Sequence, residues 1–339
     1  MDTKELCFTL SGTLGVSGDE KGIAQKVSEI LSEYMSVETD TLGNVIGRSK
    51  GEGKNILLDA HMDQIGFIVR GINEKGFVLF DKCGGLDGRT LIGNEVEIFG
   101  KEKVFGVVCS TPPHLADDKN KLPEIRKMAI DIGMTKEEGE KIIFPGDRGI
   151  LRNKPCQLLG DNISSTALDN RAGMAVIIKT VEYLAKRDYK ANLTVLFSTQ
   201  EEVGCRGART GAFVSEADEA IVIDVTFGTA PDVPKDCSGE LGKGPLIGFA
   251  AVLDREMSNA LAKTAEENSI EHSREVMSRG TGTNADVVSI SGKGIKTALV
   301  SVPIRNMHTT VEVVNTKDID NAARLLGEYI ISQGGKENV

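Results

Sequence analysis

Tryptophan is absent from this sequence, tyrosine occurs four times, and aromatic residues fill only 4% of its 339 positions. Sugar rings are bound on flat aromatic faces, so a carbohydrate-binding groove has little to be built from. Cysteine is sparse and scattered: six residues with no C-x-x-C pair, which argues against a zinc ribbon or a dithiol redox motif and leaves small reduced thiols. Positive charge is in deficit, 40 Lys+Arg against 50 Asp+Glu for a net charge of −10, and no basic block is interleaved with aromatics. A nucleic-acid partner is thereby disfavoured. No apolar run approaches bilayer-spanning length, and MDTKELCFTL has no basic segment leading into a long apolar one. The expectation is a cytoplasmic protein without a membrane partner.

What the chain does have is 40% hydrophobic content, enough for a full-sized core and for two domains. In EKGIAQKVSEILSEYM, Ile23, Val27, Ile30, Leu31 and Tyr34 recur at helical spacing. NILLDAH (55–61) is too uniformly apolar for a wet face and predicts a central strand of a covered sheet. From about residue 66 the texture changes to short strands cut by glycine turns, as in FIVRGINEKGFVLFD and NEVEIFGKEKVFGVVCS, and Thr135 with Glu138 predicts a capping box. After residue 160 helix and strand alternate again. The reading is an α/β domain, residues 1–65 and 160–339, with a mostly parallel sheet covered by helices, interrupted at 66–159 by a small β-barrel-like domain.

In such a sheet, functional groups gather beyond the carboxyl ends of the strands. ILLDAH ends in His61, with Asp63 two residues on. ANLTVLFSTQ runs into Glu201-Glu202, IVID ends in Asp224, and IKTALVSVP leads to His308. Asp169 stands where the DNRAGMAVIIKTV helix would have its N-cap. Taken singly, each has an ordinary explanation: a cap, a turn, a hydrogen-bonded core histidine, a solvated helix start. Taken together, two imidazoles and several carboxylates at corresponding topological places suit a pair of divalent ions such as Zn²⁺, Co²⁺ or Mn²⁺. His114 and His272 read as loop or surface residues. GGLDGR (84–89) and GTGTNAD (280–286) match no phosphate-loop pattern and read as turns, the second lining the substrate cleft.

The ordered motifs AHMDQIG, LDNRAG, TQEEVGCRGA, IDVT and MHTTVEVV resemble those of the M42 metallo-aminopeptidases across essentially the whole chain. This is a family of glutamyl and deblocking aminopeptidase type, some relatives of which are labelled endoglucanases. The resemblance implies a dimetal exopeptidase fold with a β-rich insertion that makes oligomer contacts. It implies two metal ions, one held by His61, Asp169 and Asp224 and the other by Asp169, Glu202 and His308, with Asp169 bridging. Glu201 would be the general base, and Asp63 would orient His61. Short peptides would be the substrates, and the assembly would be a homo-oligomer built from dimers, up to a dodecamer. Two departures, Asn306 where a tyrosine is common and Gly282-Thr283-Asn284 in place of the more usual G-T-D, are assigned to the substrate pocket.

A dimetal deacylase or carboxypeptidase-type amidohydrolase could use the same ligands with a different pocket. The E-E-V-G-x-R-G-A context and the β-rich insertion favour the aminopeptidase. An endoglucanase would leave the paired histidines without a task. The non-enzyme alternative is a metal-stabilised assembly protein with an inert site.

Overall fold

The computed structural model describes residues 1–115 and 124–333. Helices α1 (Thr3–Ser11) and α2 (Lys21–Leu31) precede strands β1 (Ser36–Thr39), β2 (Val45–Arg48) and β3 (Asn55–His61). Then come β4 (Gly66–Ile72), β5 (Val78–Cys83), β6 (Glu95–Phe99), β7 (Lys103–Cys109), β8 (Ala129–Asp131), the short α3 (Lys136–Gly139) and β9 (Arg148–Leu151). The chain returns through β10 (Cys156–Gln157) and β11 (Asn162–Ser165) to α4 (Leu168–Leu184), β12 (Asn192–Ser198), α5 (Arg206–Ser215) and β13 (Glu219–Phe227). It finishes with β14 (Leu246–Ala250), α6 (Arg255–Glu267), β15 (Ser273–Met277), α7 (Ala285–Val288), β16 (Lys296–Ile304), β17 (Glu312–Asn315) and α8 (Thr316–Ser332).

Eight strands form one mixed sheet in the order β1-β2-β12-β3-β13-β16-β14-β15, with β12, β3, β13 and β16 parallel at its centre. The alternation of a pleated strand sends neighbouring side chains to opposite faces. Ile56, Leu58 and Ala60 pack with α1, α2, α4 and α8, whereas Leu57 packs with Ala208, Ala212, Ala285 and Val288 of α5 and α7. Both faces of β3 are covered, which is why its sequence has no polar alternation. Helix α4 is buried nearly all round, wedged between the sheet and α1 and α8, and so lacks a polar face.

Strands β4-β5-β8-β7-β6-β9 close into a six-stranded barrel with its own core. Phe67 and Phe80 meet edge to face inside it, ring centroids 5.4 Å apart. Gly149 is required there, since a Cβ would stand 2.1 Å from the Phe67 ring. The capping box of Thr135 and Glu138 starts α3. A third, three-stranded sheet, β10-β11-β17, joins the chain returning from the barrel to the segment that follows His308. No helix among the described residues is long and apolar enough to cross a membrane.

Candidate metal centre

His61, Asp63, Asp169, Glu201, Glu202, Asp224 and His308 arrive together at the carboxyl edge of the large sheet. Strand β3 delivers His61 as its last residue, and the loop after β12 delivers Glu201 and Glu202. Asp224 does not end its strand as the sequence suggested, because β13 runs on to Phe227. The opening arises instead because pairing of β13 with β3 stops at Val222 and Asp59, so the strands part just where His61 and Asp224 face each other. His308 lies in the turn between β16 and β17.

Asp169 sits within the first turn of α4 but is not its cap. Asp169 and Asn170 depart from helical geometry, and the capping side chain is that of Asn170, whose Oδ1 accepts the N–H of Gly173 at 3.0 Å. Freed from capping, the Asp169 carboxylate turns into the site.

His61 Nε2 lies 3.1 Å from Asp169 Oδ1 and 3.8 Å from Asp224 Oδ1. His308 Nε2 lies 3.2 Å from Asp169 Oδ2 and 3.3 Å from Glu202 Oε1. Two groups therefore share Asp169: His61, Asp169 and Asp224, and Asp169, Glu202 and His308, the ligand atoms of each lying within 4.8 Å of one another. Asp63 supports the first. His61 Nδ1 donates to the Asp63 carbonyl oxygen at 3.1 Å, with carboxylate Oδ1 farther off at 3.4 Å, so the backbone is the nearer orienting acceptor.

Electrostatics separate the carboxylates. Burial raises Asp169, but hydrogen bonds from His308 and His61 outweigh it and hold the carboxyl below the usual range. Asp63 is likewise held down against its burial, chiefly by His61. Burial drives Asp224 well up, and it pushes Glu201 to about 7, opposed by His61 and aided by Glu202, Asp63 and Asp169. Asp169 and Glu202 push His308 up to about 11. Three carboxylates, Asp169, Asp224 and Glu202, thus converge on two imidazoles, and among the described residues these carboxylates form ion pairs with no lysine or arginine. Such a donor set, rich in oxygen with two imidazoles and deficient in positive charge, fits divalent cations.

A cavity of about 750 Å³ opens over the site, lined by Glu201, Phe227, Met277, Thr281 and Met307 among others. GTGTNAD does line it, through Gly280 to Thr283. Asn284 does not: it is 1% exposed and lies beneath, donating to Asp59 at 2.8 Å and to Ser198 at 2.8 Å. Asn306 is exposed, holds a left-handed backbone (φ 56°) and bonds the Val311 carbonyl, so it stays off the pocket wall, whereas the Gly282-Thr283-Asn284 departure reaches the wall through Gly282 and Thr283.

Two participants escaped sequence reasoning. Gly85 comes from the barrel and packs on the His308 ring, where a Cβ would lie 2.4 Å from Nδ1. Glu312, 2% exposed, accepts backbone N–H groups from both Asp169 and His308. His114 is exposed, and half-buried His272 bonds the Ile270 carbonyl; neither belongs to the site.

Residues 43–325 match the family model of the M42 glutamyl aminopeptidases. The chain belongs to this family. A putative aminopeptidase of Acetivibrio thermocellus is 37% identical over 336 residues, covering 97% of this chain and 98% of the relative. Among solved structures, an aminopeptidase of the archaeon Desulfurococcus kamchatkensis superposes with a TM-score of 0.92 at 32% identity, covering 97% of this chain and 94% of that one. A Pyrococcus horikoshii peptidase described as assembling into a tetrahedron or a large octahedral shell gives a TM-score of 0.87 at 29% identity, covering 97% and 99%. Like the rest of the M42 family, the chain is a hydrolase acting on peptide bonds.

Proposed function

We propose that the protein is a metal-dependent aminopeptidase that removes N-terminal residues from short peptides, using two divalent ions, Zn²⁺ or Co²⁺, with Mn²⁺ as a further candidate. The observation that carries this reading is the division of Asp169, one oxygen toward each histidine, with Asp224 and Glu202 completing the two groups. His61, Asp169 and Asp224 would hold one ion, and Asp169, Glu202 and His308 the other. When bound, such a pair acidifies water and polarises the scissile carbonyl.

Glu201 stands beside the two groups without belonging to either, and burial holds its carboxyl at about 7, suited to a proton carrier near neutrality. We assign it the role of taking the proton from the attacking water and delivering it to the leaving amine. Cys205 Sγ lies 3.5 Å from Glu201 Oε1, and with its thiol pushed up to about 12 by burial it serves as a weak donor rather than a rival nucleophile. Asp63 orients His61 from behind.

Self-association is assigned to the inserted barrel, residues 66–159. Its strand β7 presents Phe105 (53% exposed) and Val107 (44%) outward. Both the P. horikoshii relative's assembly and this apolar face support a homo-oligomer.

The test is a panel of aminoacyl-anilides, free and N-acylated, offered to metal-free protein and to protein loaded with Zn²⁺, Co²⁺ or Mn²⁺. Cleavage of free substrates only, dependent on metal, is expected. Cleavage confined to blocked substrates would make the protein a deacylase instead, and no turnover on any substrate would leave the inert assembly protein.

A further inference from the structure

Glu312 on β17 lies outside both ligand groups and lines no part of the cavity, so it reaches neither substrate nor ion. Its two oxygens are nevertheless committed to the site. Oε1 accepts the backbone N–H of His308 at 2.8 Å, and Oε2 accepts that of Asp169 at 3.1 Å, bridging 143 positions of sequence. Both backbone points it holds are irregular. His308 adopts φ 60°, a left-handed conformation uncommon for any residue with a side chain. Asp169, at φ −81° and ψ 104°, is out of helical register inside α4. Neither geometry is imposed by a helix or strand ladder, so something else has to hold it.

The two halves of the site differ in this respect. His61 and Asp224 stand on β3 and β13, central strands fixed by their neighbours. His308 stands in a turn, and its distance from the shared Asp169 depends on how that turn is tied. Antiparallel pairing of β11 with β17 sets Ser165 opposite Glu312, which brings the strand just before Asp169 and the strand just after His308 into one small sheet. Glu312 is the residue of that sheet whose side chain reaches both ligand-bearing segments.

We propose that Glu312 is a positioning residue for the Asp169, Glu202 and His308 half of the centre, fixing the spacing of Asp169 and His308 and thereby the affinity of that half for a divalent cation. The proposal rests on the dimetal reading above.

Glu312→Gln keeps the volume but offers one acceptor oxygen and sets an amide donor against the second N–H. Metal-free protein is titrated with Co²⁺ by calorimetry and visible absorbance, and its unfolding temperature is recorded alongside. Wild type is expected to bind two equivalents. In the variant, one equivalent should bind as in wild type and the other at least about tenfold more weakly, the loss seen when a ligand's supporting group is removed. Two ions bound with unchanged affinity would overturn the inference. So would equal weakening of both ions in step with a lowered unfolding temperature, which marks a merely structural role.

Should the glutamine variant fail to fold, Glu312→Asp replaces it with the same expectation, because it keeps the carboxyl group but is one methylene too short to span both N–H groups. Hydrogen exchange on metal-free wild type gives an independent check: the Asp169 and His308 amides should exchange as slowly as those of β11 and β17, and rapid exchange would overturn the proposal. A wild type that binds fewer than two Co²⁺ sinks the dimetal reading and this inference with it. Two ions in wild type and no difference in the variant sink this inference alone.

Discussion

Asp63 accepts the backbone N–H of Glu201 on Oδ1 at 2.9 Å. Its Oδ2 takes the N–H of Glu202 at 3.2 Å and the hydroxyl of Ser17 at 2.6 Å, so one fully buried side chain sets the start of the Glu201-Glu202 segment as well as facing His61. Asp63→Ala strips the acceptor from those amides, at a cost of about 1–3 kcal/mol for each group left unsatisfied. Metal affinity should fall by about 10- to 100-fold. His61→Ala, which removes a ligand outright, should cost more. Competition with a chelator ranks the two, and an Asp63 variant that loses more than the His61 variant contradicts the assignment.

Glu201→Gln separates chemistry from metal binding. Metal content measured by elemental analysis should match wild type, whereas kcat on a free aminoacyl-anilide should drop by at least about 10²-fold, the lower range of a general acid–base contribution. Unchanged kcat would remove Glu201 from the mechanism.

The barrel meets the site at two glycines, Gly84 beside Glu202 and Gly85 beside the His308 ring. In Gly85→Ala the new methyl would meet the His308 ring at 2.4 to 2.6 Å, so the imidazole has to swing away from Asp169 and Glu202. We expect about a tenfold loss of affinity for one of two Co²⁺ ions. The unfolding temperature should stay close to wild type, because the clash is relieved at the cavity surface. Full retention of both ions would show that the ring has room to spare.

Asp318 offers a pH signature away from the ligands. It accepts the N–H groups of Gly242 and Gly244, both at 2.7 Å, and burial raises its carboxyl from 3.8 to about 6 against the pull of those bonds. A folded-state value above the unfolded one means that the folded protein binds the extra proton. Its stabilising contribution is therefore complete below about 4 and is lost as pH rises through about 6. Urea unfolding at pH 5, 6, 7 and 8 should show wild type losing ground to Asp318→Asn across that window and holding a constant offset above it. Parallel curves would refute the shift.

Much of the centre was legible because the strands that carry it are apolar until their last residues: NILLDAH, ANLTVLFST and EAIVIDVT announce polar groups at one edge. Asp169 was found, but with the wrong local reason, since capping by Asn170 one residue later cannot be distinguished from capping by Asp169 on type alone. The edge strand SREVM is largely exposed and its residue types, three polar and then two apolar, do not alternate, and NISS and EVVN are too short for a period to show. Glu312 was invisible for another reason. It sits in TTVEVV, an ordinary strand pattern, and its partners are backbone amides, one of them 143 positions away, which leave no trace in residue identity.

The order of the site residues along the chain has a consequence during synthesis. His61 emerges early, Asp169 and Glu202 follow, and His308 with its tie Glu312 come after all of them. The His61, Asp169 and Asp224 group has all its residues by position 224, but the group that shares Asp169 waits until the turn between β16 and β17 is released. An enzyme of this kind could attack free N-termini, including those of other growing chains, yet no partial translation product that stops short of His308 contains the assembled centre.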